Sequence, residues 1–434
     1  MAEDRDELRV LSLPTERFTF PDGFAWGGAA CAHQTEGGNW NNDWWEWEHR
    51  PDTPCAEVSG DCIDHYHRYD ADFELLASLG HNAHRFGIEW ARIEPEPGEF
   101  SNAALDHYAR VIESLHRHNL TPFMTLHHFS SPRWFAAEGG WAAASSVDRF
   151  RRYAEVVAKR LEVPFVCTIN EPQIVAQIGY QGTAFPPGAG ENYLFGPVTR
   201  NFIASHAAAV EVFKEHQPDA AIGLVLATAD YQAANDESVK LRDRIHHRMV
   251  GVYHEALRTG VFTGFGEDEA IANLKGTSDF VGVNYYTRTV IDVTKPGNTA
   301  APEAGAETTQ MGYEVVPECF VTVLKLAAEK TELPVYVTEN GIGTADDHQR
   351  VRFIARHLAA VRQAMDEGAD IRGYMYWCPM DNFEWAFGYR MTFGLIAVDR
   401  ETFERTPKPS ASYYAEICRS NAVDPEVTAR YLAS

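Results

Sequence analysis

The chain has 434 residues, 45% hydrophobic and 12% aromatic, which is enough for a large core and leaves no stretch polar enough for long disorder. Lys and Arg total 38 against 62 Asp and Glu, giving a net charge of −24. So acidic a surface repels phosphate backbones and anionic lipids; it argues against nucleic-acid and membrane partners and favours a neutral or cationic small molecule.

From the N-terminus, Met1 to Arg9 is charged and lacks a signal-peptide core, and no apolar run is long enough to span a bilayer. Seven scattered cysteines, an odd number, suggest reduced thiols, so a cytoplasmic protein is expected. Cys55 and Cys62 are close enough in sequence to pair, and that pairing stays open. After an N-terminal extension over 1–17, short apolar runs predict strands at Phe24–Gly28, Asn82–Gly87, Pro122–His127, Phe165–Asn170, Ala221–Leu226, Phe280–Asn284, Val335–Glu339 and Ile371–Trp377. Helical spacing lies between them. Leu105, Tyr108, Val111, Ile112 and Leu115 recur at three and four, and Asp347–Glu367 carries Phe353, Ile354, Leu358, Val361 and Met365 on one side.

Unalternated apolar strands separated by helices suit a parallel sheet covered on its outside, and eight such units close a single (β/α)₈ barrel over 18–420, with a C-terminal tail over 421–434. A count of seven or nine also fits the pattern. The polar residues favour the barrel: Arg85, His127-His128, Asn170-Glu171, Asn284-Tyr285-Tyr286, Glu339-Asn340 and Trp377 fall at the C-terminal ends of the runs. Barrel active sites form at that rim.

Glu171 and Glu339 each follow a β-branched apolar run, stand beside an Asn and are stopped by a chain breaker, Pro172 or Gly341. An acid there either closes a structural ion pair or faces the barrel mouth; two at matching strand ends favour the mouth. Two such carboxyls suit glycoside hydrolysis, in which one donates a proton to the leaving oxygen and the other attacks the anomeric carbon. A separation of about 5–5.5 Å gives retention, and a wider gap gives inversion.

Thr168-Ile-Asn-Glu-Pro172 and Val337-Thr-Glu-Asn-Gly341 resemble the acid/base and nucleophile motifs of glycoside hydrolase family 1, the β-glucosidase and β-galactosidase family of (β/α)₈ barrels. Phe20–Gly37, Asp64–Tyr69, His84-Arg-Phe86 with Glu89–Arg92, and Asp381–Trp385 with Gly388-Tyr389 are similar to its other blocks and follow in its order, from about Phe18 to Tyr414. The resemblance implies Glu171 as general acid/base and Glu339 as nucleophile, with no cofactor and no metal. It implies that Gln34, His128 and Asn170 hold sugar hydroxyls, Asn170 at the 2-OH. Glu384 and Trp385 would bind the 3-, 4- and 6-OH region, and Trp377 would lie beneath the sugar face. Tyr286 and Arg85 would hydrogen-bond the nucleophile, the Arg keeping it ionised; Asn284 at the strand end is a supporting residue.

Two departures narrow the reading. His128-Phe129 replaces the His-Trp of many members, so one indole donor is missing. Members that take 6-phosphorylated sugars have Ser at the Glu384 position and Lys-x-Tyr downstream, where this chain has Met391 and Phe393, so an unphosphorylated glycoside is expected. The implied reaction is retaining hydrolysis of terminal β-D-glucosyl residues, with β-D-galactosyl and β-D-fucosyl activity. Transglycosylation, a catalytically weak sugar-binding barrel and a metal-dependent hydrolase are the alternatives. The partner is a small β-glycoside or oligosaccharide, and a homo-oligomer stays open. Aglycone contacts are expected from Asn41–Ser59, Gln177–Asn192 and Arg288–Glu314.

Other signals are discounted. His65 and His67 fall on different faces of a predicted helix, which points to capping and packing. His127, adjacent to His128 on a strand, is expected in the core, and Cys167 and Cys378 are expected to pack. Gly27-Gly28 and Gly139-Gly140 read as tight turns.

Overall fold

The computed structural model describes residues 11–433; residues 1–10 and 434, which belong to the expected N-terminal extension and C-terminal tail, lie outside the described residues. Eight parallel strands close a barrel in chain order. They are β1 (Ala25–Ala29), β2 (Ala83–Gly87), β3 (Thr121–His127) and β4 (Phe165–Asn170), then β5 (Ala221–Ala233), β6 (Phe280–Ile291), β7 (Val335–Asn340) and β8 (Ile371–Tyr376). β8 returns to β1 with Gly373 opposite Ala25, which closes the ring. Each predicted strand is present within a residue or two at its start. β5 and β6 run further than expected, pairing as far as Ala233 with Ile291 and rising above the other strands as a ribbon.

Helices cover the outside. α1 (His65–Ser78), α2 (Asn102–Arg117), α3 (Ser146–Arg160) and α4 (Phe195–His216) follow the first four strands; α5 (Val252–Thr259), α6 (Pro317–Thr331), α7 (Asp347–Asp366) and α8 (Pro409–Ser420) follow the last four. α2 shows why the sequence makes a helix there. Ser101 accepts a hydrogen bond from the Ala104 N–H at 3.2 Å to cap its start, and Leu105, Tyr108, Val111, Ile112 and Leu115 are all buried. Each such large apolar side chain removed from water contributes about 1.5–3 kcal/mol. Among the described residues no helix is long and apolar enough to cross a membrane. Residues Ala422–Val423 pair antiparallel with Phe18–Thr19, and a last helix over Pro425–Leu432 packs against α7.

The barrel floor is aromatic. Phe123 of β3 stacks on Phe165 of β4 with centroids 4.1 Å apart, and both meet Tyr336 of β7, at 5.3 and 5.5 Å. β3 and β7 are not neighbours, so these rings meet across the interior and plug its N-terminal end. Gly27-Gly28 is a correction, since both residues lie within β1 and not in a turn. A Cβ on Gly27 would sit 2.2 Å from the Ala83 carbonyl oxygen, and one on Gly28 2.6 Å from Pro379, so glycine serves close approach there. Gly139 and Gly140 do form a turn, with φ of 99° and 56°.

Candidate active site

Both acid-bearing strands end irregularly. The pairing of β4 with β5 shifts between Cys167 and Asn170, and that of β7 with β6 shifts between Val337 and Glu339. Such bulges re-aim side chains at a strand end. Glu171 follows β4 in a left-handed conformation, φ 46°, directly before the short helix that Pro172 opens, while Glu339 remains in β7. Both carboxyls line one cavity of ≈ 370 Å³ at the C-terminal mouth, with His128, Phe129, Asn284, Tyr286, Trp377, Glu384, Trp385 and Phe393. Gln34, Arg85 and Asn170 stand behind this lining and are tied to it by hydrogen bonds.

Arg85 of β2 is the hub. Its Nη1 donates to Glu339 Oε1 at 2.6 Å, its Nη2 to Asn170 Oδ1 at 2.6 Å, and its Nε to Thr125 Oγ1 at 3.1 Å. The Tyr286 hydroxyl donates to the other Glu339 oxygen at 2.7 Å. Asn284 Nδ2 donates to Glu171 Oε1 at 2.7 Å and to Asn170 Oδ1 at 3.1 Å, and its own oxygen accepts from Thr338. With two donors on Asn170 Oδ1, its Nδ2 faces His128 Nε2 at 3.0 Å, so that nitrogen accepts and Nδ1 carries the proton.

These contacts divide the charge unequally. Burial raises both carboxyls above the usual range, and Glu171 is pushed up to about 8 by burial and by the charge of Glu339. Arg85 and Tyr286 oppose that effect at Glu339, whereas Glu171 has one neutral amide donor. The negative charge therefore rests on Glu339 and the proton on Glu171. Burial also pushes Glu384 up to about 8, with the charge of Glu339 adding to it and hydrogen bonds from Trp377 and Gln34 opposing. His128 lies well below its ordinary value because of burial and the nearby Arg85, so it is neutral.

Two buried polar atoms of these residues lack protein partners. Gln34 donates to the Phe383 carbonyl at 2.7 Å and to Glu384 at 3.4 Å, but its Oε1 has no partner, nor has His128 Nδ1. Trp385 packs on Trp44 and Phe129, with centroids 4.5 and 5.0 Å away, and stacks on His33 at 5.7 Å. Phe393 meets Tyr286 edge-on at 6.2 Å.

The discounted residues have ordinary partners. His127 lies against Trp141 and within 3.1 Å of Ser131 Oγ, on the helix side of the strand. His65 and His67 pair with Asp72 and Asp64, at 2.8 and 2.6 Å. All seven cysteines are free thiols; Cys62 donates to the His33 carbonyl, and Cys167 and Cys378 are buried.

The outer cavity differs in part from expectation. Gln177, Ile178 and Phe185 come from one expected loop and Thr289, Met311 and Tyr313 from another, but no residue of Asn41–Ser59 lines the cavity. That segment lies beneath the lining instead, Trp44 packing on Phe185 and Trp385. Ala227, Ala229 and Tyr231 on the ribbon extension of β5, and Met249 in the helical segment His247–Gly251, were not anticipated. The apolar run Ile222–Ala227 continuing into Ala229 and Tyr231 was the available signal for the ribbon; Met249 had none.

The model of glycosyl hydrolase family 1 matches residues 16–423. Beta-glucosidase A of Thermotoga maritima is 32% identical over 93% of this chain and 99% of its own length. The bifunctional beta-D-glucosidase/beta-D-fucosidase of Bifidobacterium breve is 32% identical over 91% and 97%. The solved beta-glycosidase of Pyrococcus horikoshii superposes with a TM-score of 0.88 at 36% identity, covering 95% of this chain and 98% of that one.

Proposed function

The chain belongs to glycosyl hydrolase family 1, and from that premise we propose that it is a retaining β-glycosidase of terminal non-reducing β-D-glucosyl residues, with β-D-galactosyl and β-D-fucosyl residues as further substrates. Glu339 attacks the anomeric carbon while Glu171 gives its proton to the glycosidic oxygen, so the aglycone departs as an alcohol and a glycosyl ester remains on Glu339. Glu171, now ionised, takes a proton from water, which attacks the same carbon and releases the sugar with its original configuration. Arg85 and Tyr286 hold Glu339 ionised and oriented for attack. Asn170, held by Arg85 and Asn284, is assigned to the sugar 2-OH, a contact that strengthens as the oxocarbenium-like transition state forms.

The observation that carries this reading is the unequal pair in one cavity, Glu339 gripped by a cation and a hydroxyl and Glu171 by one amide. The unpartnered Gln34 Oε1 and His128 Nδ1 support a polyhydroxy ligand, because buried polar atoms are normally satisfied. Glu384 supports an unphosphorylated sugar. Residues 18–420 are proposed as one catalytic domain between an extension over 1–17 and a tail over 421–434. The free thiols support a cytoplasmic location, which cell fractionation checks. Hydrolysis of a nitrophenyl β-glucoside followed by NMR from the first turnovers tests the chemistry. The β-anomer of glucose is expected first, and α-glucose as first product sinks the retaining assignment.

A further inference from the structure

A chain of buried side chains runs behind the cavity wall, and none of its members lines the cavity itself. His33 is fully buried, and its ring stacks on Trp385 with centroids 5.7 Å and planes 15° apart. The Asn42 oxygen caps the short helix Asp43–Glu48 by accepting from the Trp45 N–H at 2.8 Å. Its amide nitrogen therefore faces the other way, donating to His33 Nδ1 at 2.9 Å and to Glu89 Oε2 at 3.1 Å. So His33 Nδ1 accepts, and Nε2 carries the proton toward Glu48 Oε2 at 3.4 Å. The other Glu48 oxygen accepts from both the N–H and the hydroxyl of Ser59, at 3.0 and 2.5 Å. Each end of the chain reaches a segment that faces the cavity. Ser59 belongs to a loop that grips the turn carrying Glu384 and Trp385: the Ala56 N–H donates to the Ala386 carbonyl and the Tyr389 N–H to Glu57, each at 2.8 Å, and the Tyr389 hydroxyl donates to the Ser59 carbonyl. At the far end the Ser130 hydroxyl donates to Glu89 at 2.9 Å, and its N–H to the His128 carbonyl at 2.8 Å.

We propose that His33, Asn42 and Glu48 are positioning residues: through this chain they hold the Glu384–Trp385 turn and the His128 segment in one fixed relation, and so set how closely the cavity discriminates between sugar rings. The inference rests on the glycosidase reading above and deepens it. Trp385 and Phe129 lie in the two segments with φ of 48° and 67°, conformations that a side-chain-bearing residue keeps only where its surroundings hold it. Both nitrogens of His33, both oxygens of Glu48 and the whole Asn42 amide are engaged, so replacing one member leaves a buried group unpaired and frees its neighbours to move. Gln34 follows His33 directly and bonds the Phe383 carbonyl and Glu384, which ties a third cavity-end group to the same chain. Groups that recognise a ligand by direction need such support from behind, because a small displacement costs them their hydrogen bonds.

The test compares kcat and KM of the whole protein on nitrophenyl β-glucoside and nitrophenyl β-xyloside, which lacks the C6 hydroxymethyl group. His33→Phe keeps a ring against Trp385 and removes both nitrogens; Glu48→Gln must turn an N–H toward a donor. In each, KM for the glucoside is expected to rise about 10-fold with kcat within about 3-fold of wild type, and the glucoside-to-xyloside ratio of kcat/KM to fall about 10-fold. Asp72→Asn is the control for a purely structural role, since Asp72 is buried on the helix side of the barrel with His65 and Arg405. It is expected to lower the urea midpoint and leave the ratio unchanged. If His33→Phe and Glu48→Gln do not fold, Ser59→Ala, which removes one hydroxyl donor and keeps the backbone N–H on Glu48, is expected to lower the ratio about 3-fold. Folded variants whose ratio stays within about 2-fold of wild type overturn the inference and leave the glycosidase reading standing. Absence of turnover by the wild type on every glycoside overturns both.

Discussion

At the inner end of the cavity, Arg85 and Tyr286 grip Glu339 at 2.6 and 2.7 Å from barrel strands whose positions are set by eight closed ladders, whereas the outer end is walled by Ile178, Met249 and Met311 from segments above the rim. The inner end fixes charge and protons, and its polar atoms bond one another in a connected set running from Thr125 through Arg85 and Asn170 to Asn284 and Glu171. The outer end contributes surface and few directional bonds. Substitutions at the two ends of the cavity are therefore expected to change different kinetic quantities.

The largest expected effects sharpen that contrast at the inner end. Glu339→Gly is expected to lower kcat by about 10⁴-fold or more, and Glu171→Ala by about 10²–10⁴-fold on glycosides with poor leaving groups. Steady-state rates on alkyl and dinitrophenyl glycosides separate the two, since an activated leaving group needs little help from Glu171. Arg85→Met comes next. It strands the buried Glu339 carboxylate without its cation, which is expected to cost about 3–5 kcal/mol of stability in urea unfolding, or else to protonate Glu339 and move the acidic limb of the rate profile upward.

The pH dependence is a finer test. The proposed acid role needs Glu171 protonated, and its carboxyl is pushed up to about 8, so kcat/KM is expected to fall as pH rises through that value. Glu171→Gln assayed on an activated nitrophenyl glycoside is expected to lose this alkaline limb, and a limb that persists assigns it to another group. If Glu384 holds sugar hydroxyls as proposed, Glu384→Gln is expected to cost about 10–100-fold in kcat/KM for glucosides. The smallest effect belongs to the outer end: Met311→Ala is expected to raise KM for an aryl glucoside about 3-fold with kcat little changed. A large kcat effect there would break the division between the two ends.

The two ends also differ in how legible they were. The inner end follows from strand periodicity and from motifs placed where strands stop, so Arg85, Asn170, Glu171, Asn284, Tyr286 and Glu339 could be located before any fold was known. Apart from β6, which carries Asn284 and Tyr286, their strands are short, apolar and bounded by Gly or Pro, which leaves little freedom in where the side chains land. The bulges at Cys167–Asn170 and Val337–Glu339 could not be read, because register depends on the partner strand. Gly27-Gly28 misled for a related reason: glycine signals a turn locally, and the contact with the Ala83 carbonyl that requires it is 56 residues away in sequence. The outer wall was partly hidden, since Met249 looks like any core methionine until the helix carrying it is placed beside the β5–β6 ribbon. The segment Asn41–Ser59 has the Trp-rich look of a ligand surface, and it supports Trp385 from behind.

The assignment of charge to Glu339 and proton to Glu171 is tested most directly by azide rescue of Glu339→Gly and Glu171→Ala on a dinitrophenyl β-glucoside, with the anomeric configuration of the products read by NMR. The account predicts an α-glucosyl azide from Glu339→Gly, by direct displacement into the space left by the nucleophile. It predicts a β-glucosyl azide from Glu171→Ala, by attack on the ester at Glu339. The two products exchanged, or a Glu339→Gly enzyme as fast as wild type without azide, would contradict it.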